Sequence, residues 1–192
     1  MTTPLRKDAA RNWDRIVAVA RDLVDQGTPL QLNDVARRAG LGVGTVYRHF
    51  ATPEALLETV ATSCLEALAA HGEQALADPD PWRSLEGFLT RTVEAQVTDA
   101  SLAPVTAASA DTLPRTTELK AVLRSTGNTL LDRAREAGAV RPDLASADLV
   151  PLMCGIAHAV TVLGGTPADR IGTAHRYLST LLEGLRAVPR TA

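Results

Sequence analysis

The stretch Leu32-Asn33-Asp34-Val35-Ala36-Arg37-Arg38-Ala39-Gly40-Leu41-Gly42-Val43-Gly44-Thr45-Val46-Tyr47-Arg48-His49-Phe50 constrains this chain more than any other. It reads as a helix over 32–39, a glycine stop, and a second short helix over 43–49 ending in an aromatic pair. Gly40 falls where a helix ends in a left-handed residue, which costs glycine little. A turn this tight sets two helices at a steep angle, so one enters a DNA major groove while the other braces it. The pattern is that of a helix-turn-helix over about 31–50.

The remaining elements also read as helices. The first runs over about 8–26, with Ile16, Val19, Ala20 and Leu23 inward and Gly27 as its stop. Thr52-Pro53-Glu54 opens a fourth helix extending to about residue 77, with Thr52 as N-cap. After Asp78-Pro79-Asp80-Pro81 a fifth helix is expected to about residue 99. Residues 100–114 are ambiguous, because Pro104 and Pro114 limit any helix there to a short one. Further helices are expected over about 115–137, 147–164 with Ser146 as cap, and 167–187. Aromatic residues make up only 3 % of the chain, which favours helices packed through aliphatic side chains over sheet. The fold class predicted is all-α: three short helices over 1–52, then a larger bundle over 53–192.

Charge divides the chain in the same place. The net charge is −2, yet residues 1–50 hold eight Lys and Arg against five Asp and Glu. Only that part suits a polyanion; residues 1–7 read as a loose arm, and Arg6, Lys7 and Arg11 are candidates to follow a phosphate backbone, with a solvated tail as the competing reading. The four histidines are scattered, and no Ser/His/Asp set, His-Glu-x-x-His or phosphate loop is present. No catalysis, metal or cofactor is expected. Cys64 and Cys154 match no metal spacing and read as thiols in a reducing compartment, with redox sensing as the competing reading. Neither a signal-peptide core nor a membrane-spanning apolar run is recognised, so a cytoplasmic protein without membrane contact is expected.

At Val35-Ala36, Ala39-Gly40-Leu41, Gly44-Thr45-Val46-Tyr47-Arg48-His49-Phe50 and Ala55-Leu56-Leu57 the chain resembles the TetR family of bacterial transcriptional regulators. The resemblance is strong over 11–65; beyond residue 75 it consists mainly of helical character. It implies that Val43, Gly44, Thr45 and Arg48 face base edges and that Tyr47 and His49 touch phosphates. The residue chemistry agrees: an arginine fork suits guanine O6 and N7, and Thr45 suits a phosphate or a thymine methyl. Asn33, Arg37, Arg38 and Thr52 complete the DNA-binding set. Two positions depart from the family. Gln31 stands where Ser or Thr usually caps the second helix, and Pro53 replaces a common lysine, which removes one phosphate cation and lowers the expected salt dependence.

One reading head covers too few base pairs to select a genomic site, so a two-fold dimer on an inverted repeat of double-stranded DNA is expected. The family places the dimer face on the last two helices. Leu152, Ile156, Ala159 and Leu163 are assigned to it here, together with Ile171, Leu178, Leu181 and Leu185, with intramolecular core as the competing reading of these stripes. The resemblance also implies a small-molecule pocket among the middle helices, whose occupancy releases DNA. Cys64, Leu68, Trp82, Leu89, Thr92, Gln96, Leu123, Met153 and His158 are its candidate lining. Two of these have competing readings: Trp82 as a core plug and His158 as a hydrogen-bonded core or interface residue. The function expected is a ligand-released repressor. The alternative is an architectural DNA-binding protein without an inducer, which a sealed, well-filled core would favour.

Overall fold

Glycine, proline and side-chain caps divide the chain into helices much as the sequence suggests. The computed structural model describes residues 4–187, with side chains from Asp8 onward. Its helices are α1 (Pro4–Asp25), α2 (Leu32–Ala39), α3 (Val43–His49), α4 (Pro53–Ala77), α5 (Pro81–Thr98), α6 (Leu102–Ala107), α7 (Pro114–Glu136), α8 (Leu149–Leu163) and α9 (Pro167–Leu185). Among the described residues the only extended pairing is one isolated antiparallel bridge, Val140 with Arg186. It ties the end of α9 to the segment after α7, with Arg141 N–H donating to the Leu185 carbonyl at 3.0 Å. The architecture is all-α.

The ends of the helices have identifiable causes. Gly40 sits at φ 60° and closes α2 with its N–H on the last turn. Gln31 makes no side-chain cap at the other end, so α2 depends on its buried face: Leu32, Val35, Ala36 and Ala39. The Thr52 hydroxyl accepts from Ala55 N–H at 3.2 Å and starts α4. One Asp80 carboxylate oxygen accepts from the amides of Trp82 and Arg83, both at 3.0 Å, and starts α5. Thr166 and Asp169 satisfy each other's backbone at the head of α9, and the Thr166 hydroxyl holds the Asp169 carboxyl below the usual range. Each such cap contributes about 1 kcal/mol.

Several features differ from, or complete, the sequence expectation. The α1 backbone is helical from Pro4, so the segment read as a loose arm is helix from there on; residues 1–3 and the side chains of Arg6 and Lys7 lie outside the described residues. Arg11 is exposed and pairs with Asp8 at 2.7 Å. The ambiguous 100–114 segment contains α6, because Leu102 and Val105 find buried positions there. Ser146 caps nothing: Ser146–Asp148 form a 3-10 turn, and Asp148 reaches back to the Ala145 amide at 3.0 Å. Ser146–Leu163 also forms an 18-residue segment of mean hydropathy 1.6, long and apolar enough to cross a bilayer, contrary to the reading that no such run exists. Apolar residues lie on both faces of α8, so the run lacks the polar stripe that usually interrupts a surface helix.

Among the described residues, three apolar clusters fill the interior. The first joins Ile16, Leu23, Val35, Val46 and Phe50 of the helix-turn-helix region to Leu56 and Val60 of α4. The second begins one residue later, with Ala61, Leu65 and Leu68 of α4 against Leu102 and Leu119. The third packs Leu85, Leu89 and Val93 of α5 against α7, α8 and α9. Consecutive turns of α4 therefore belong to different cores. Gly72 permits the close approach of α4 to α7 and α5, because a Cβ there would lie 3.0 Å from Thr126 and 3.3 Å from Phe88.

Candidate DNA-reading surface and ligand cavity

The reading surface follows from one buried post. Val46 is fully buried and Phe50 nearly so, which anchors one face of α3 on α1 and α2. The opposite face is then turned outward. Val43 is 47 % and Tyr47 50 % exposed, so an apolar and an aromatic side chain one turn apart both face solvent. Gly44 and Arg48 are exposed beside them, and a Cβ on Gly44 would meet nothing within 4 Å. Thr45 and His49 are half-buried at the edges of this face, and the His49 ring lies 6.5 Å from that of Phe50. Arg48 lies against its own helix, its Nε donating to the Gly44 carbonyl at 3.0 Å. Releasing that single exposed bond frees the guanidinium to reach another acceptor.

On α2, Asn33, Arg37 and Arg38 are exposed. Arg37 pairs with Asp34 at 2.6 Å, and Arg38 donates to the Gln26 side chain at 3.2 Å. Thr52 spends its hydroxyl oxygen on the α4 cap and is half-buried.

In the larger half, α4, α5, α7 and α8 surround a cavity of about 560 Å³. Six of the nine proposed lining residues border it: Leu68, Leu89, Thr92, Gln96, Leu123 and Met153. The other three do not. Cys64 is one turn too early on α4 and packs beside Leu57 in the second cluster. Burial pushes its thiol up to about 11, reinforced by the neighbouring Asp99 charge and partly offset by Arg21. Trp82 packs against the third cluster beneath Arg186, whose guanidinium lies 4.3 Å from the ring centroid. His158 is exposed on the outer side of α8, because the inward positions of its turn belong to Ala157 and Val160.

The cavity rim was missed in sequence. Thr117, Lys120, Arg124 and Asn128 recur every three or four residues along α7 and reach the opening together. That polar stripe beside Leu119 and Leu123 was the available signal. Lys120 is fully engaged, donating to Asp111 at 2.6 Å and to the carbonyls of Val105 and Ala108.

Glu58 and Arg21 were also missed. Glu58 is 5 % exposed, and its two oxygens accept from the backbone amides of Thr112 and Leu113 at 2.7 and 2.8 Å. It thereby ties the segment immediately before α7 to α4, across more than fifty residues of sequence. Arg21 of α1 donates to Asp99 at 2.7 Å, to Ser101 and to the Val60 carbonyl. It joins the reading head to the α5–α6 corner, immediately before cavity residue Leu102.

The outer face of α8 carries Pro151, Gly155, His158 and Val162 at helical spacing. Val162 is 72 % and Leu163 64 % exposed. Leu152, Ile156, Ala159, Ile171 and Leu181 are half-buried beside them. Leu178 and Leu185 are corrected: they are 2 % and 5 % exposed, sit in the third core and are covered within the chain. They lie on the same side of α9 as Ala174 and Leu182, which packs on α5 and α8.

A helix-turn-helix with an outward recognition face, joined to a hollow helical bundle, defines a transcriptional regulator. Family models match both parts: the bacterial regulatory proteins of the tetR family at residues 16–60, and the SbtR-like transcriptional regulator C-terminal domain at 80–187. The chain belongs to the TetR family of transcriptional regulators. It is 31 % identical over 80 residues to the HTH-type transcriptional regulator SAR0097 of Staphylococcus aureus, a match spanning 40 % of this chain and 42 % of that relative. The crystal structure of the TetR regulator SCO0520 from Streptomyces coelicolor is similar over 94 % of this chain and 99 % of that one, at 30 % identity and a TM-score of 0.56. FadR of Bacillus subtilis, solved with stearoyl-CoA, shares the fold at 15 % identity and a TM-score of 0.65, covering 90 % of this chain and 99 % of that chain.

Proposed function

We propose that the protein is a dimeric repressor that binds an inverted-repeat operator in the cytoplasm and leaves it when a small molecule fills the cavity. A reading unit over 1–52 and a sensing and dimerising unit over 53–192 divide the work, joined through α4. The observation carrying this reading is the cavity beside a helix shared between two cores. Leu68 of α4 lines it, while Leu56 and Val60 of the same helix sit in the reading-head core. A ligand that prefers a displaced α4 must also prefer a displaced reading head, and DNA that fixes the head must disfavour that ligand. The Arg21–Asp99 contact gives the two halves a second connection.

Two copies meeting through the outer faces of α8 and α9 would cover Val162 and Leu163 and hold the heads at a fixed separation, with half-sites about 34–36 Å apart or slightly more. The bound ligand of FadR supports a sensing role for a cavity in this fold. An open cavity also favours a sensor over an architectural protein, which gains nothing from the lost packing.

In vitro selection from random and genomic DNA fragments at physiological salt tests the reading. An enriched inverted repeat supports it; binding without enrichment supports the architectural alternative; no binding overturns the DNA-reading assignment. Leu163→Glu should give monomers by light scattering, and an unchanged dimer would remove α8 from the interface.

A further inference from the structure

We infer that the cavity takes an apolar molecule that carries a hydroxyl toward Gln96 and a carboxylate toward Arg124. This rests on the sensor reading above. The inner wall is apolar apart from a few polar atoms, and these are short of donors. Gln96 is 7 % exposed, lines the cavity, and its Oε1 has no hydrogen-bond partner. Its Nε2 faces the Cys154 sulfur at 3.9 Å. The Thr92 hydroxyl spends its proton on the Phe88 carbonyl at 2.8 Å, and Thr106 spends its own on Leu102 or Ala103. What remains at the two threonines is acceptor capacity, and at Gln96 an unpartnered amide oxygen beside an amide N–H engaged only by a sulfur. A buried acceptor without a donor is costly, so a ligand that brings a donor gains more than the bond alone.

A hydroxyl is the donor that fits. An ammonium would donate as well, but among the described residues the carboxylate in the wall is Asp111, already held by Lys120 at 2.6 Å, which leaves nothing to offset its desolvation. A hydroxyl also serves a rotated Gln96 amide, because it accepts as readily as it donates.

The rim has the opposite character. Arg124 borders the cavity, is exposed, and has no ion-pair partner among the described residues. Asn128, one turn further along α7, adds an amide on the same side. A planar guanidinium at the mouth matches a carboxylate in fork geometry. The volume of about 560 Å³ lies within the range of ordinary small-molecule sites.

Calorimetric titration of the full chain with 10-hydroxydecanoate, decanoate and 1,10-decanediol tests the assignment, with the neutral dye N-phenyl-1-naphthylamine as a reporter of cavity occupancy. The first probe should bind about ten-fold more tightly than either of the others. Gln96→Leu should erase the preference over decanoate, and Arg124→Gln the preference over the diol, each leaving the other preference intact. Equal affinities for the three probes, or preferences unmoved by the substitutions, would overturn the ligand class. If the dye binds and only unsubstituted apolar compounds displace it, the class fails while the sensor reading stands. If neither dye nor probe binds, the sensor reading fails with it.

Discussion

The reading head and the sensing bundle use the same aliphatic residues to opposite ends. In the head, Val46, Val35 and Ile16 are fully buried around α3, and function sits on the outside of a filled core. In the bundle, Leu89 and Met153 are equally withdrawn from solvent, yet they face a cavity. A filled core holds a recognition helix to the geometry that base contacts demand. A hollow one gives up dispersion contacts in order to admit a guest. One chain thus concentrates tight packing beneath the proposed DNA-reading face and looser packing around the cavity.

Paired truncations break or sharpen this contrast most directly. Leu56→Ala, in the filled core, should cost about 4 kcal/mol, whereas Leu89→Ala, already facing empty space, should cost about 2 kcal/mol. Urea denaturation measures both. Equal costs would mean that the cavity is closed in solution and that the two regions are packed alike.

Glu58→Gln lies on the helix the regions share. It replaces a charged acceptor of two partly buried backbone amides with a neutral one and should destabilise by about 2 kcal/mol. The bundle should be affected first, because Glu58 holds the start of α7, so exchange protection should fall in α7 before α1–α3. Simultaneous loss throughout would make the two regions one cooperative unit.

Glu58 also marks where the sequence stops being legible. The reading head is legible because its contacts are local: Gly40 stops α2, and Val46 and Phe50 lie within one turn of the residues they present. Outward and inward positions then follow from helical period alone, and the family resemblance names their roles. The bundle depends on partners far apart in sequence. Glu58 meets Thr112 and Leu113, Gln96 meets Cys154, and Arg133 meets the carbonyls of Leu76 and Asp78. Periodicity gives each bundle helix an apolar stripe without saying whether it faces core, cavity or a second copy. Leu178 and Leu185, assigned to the interface with intramolecular core as the competing reading, are core, and His158, open between lining and a core or interface position, lies on the surface.

On the DNA side, Arg48→Ala should weaken operator binding about ten- to hundred-fold. Folding stability should stay within about 0.5 kcal/mol, because the side chain is exposed. Gly44→Ala is the finer test of the same surface. Its Cβ meets nothing in the free protein, so the substitution should stabilise by up to about 1 kcal/mol through helix propensity. If α3 packs closely on base edges, the same methyl should reduce operator affinity in a mobility-shift assay. Unchanged affinity would place Gly44 away from the DNA.

The smallest effect lies at the junction of the regions. The Cys64 thiol is raised to about 11 by burial first and by Asp99 second, from an ordinary value of 9.0. In the unfolded chain it ionises near that ordinary value, so its contribution to stability is complete below pH 9 and fades as pH rises toward 11. Neutral pH lies outside this window, and a thiol held protonated there is a poor nucleophile. In a Cys154→Ser background, labelling of Cys64 by a thiol reagent at pH 8 should therefore be much slower than in the unfolded chain. Asp99→Asn removes the second cause but not the first, so labelling should quicken without reaching the unfolded rate. The same substitution cuts the Arg21 contact between the regions. If the thiol quickens while operator affinity and ligand release stay unchanged, α4 alone joins reader to sensor; if release is lost as well, the Arg21–Asp99 corner carries part of the signal.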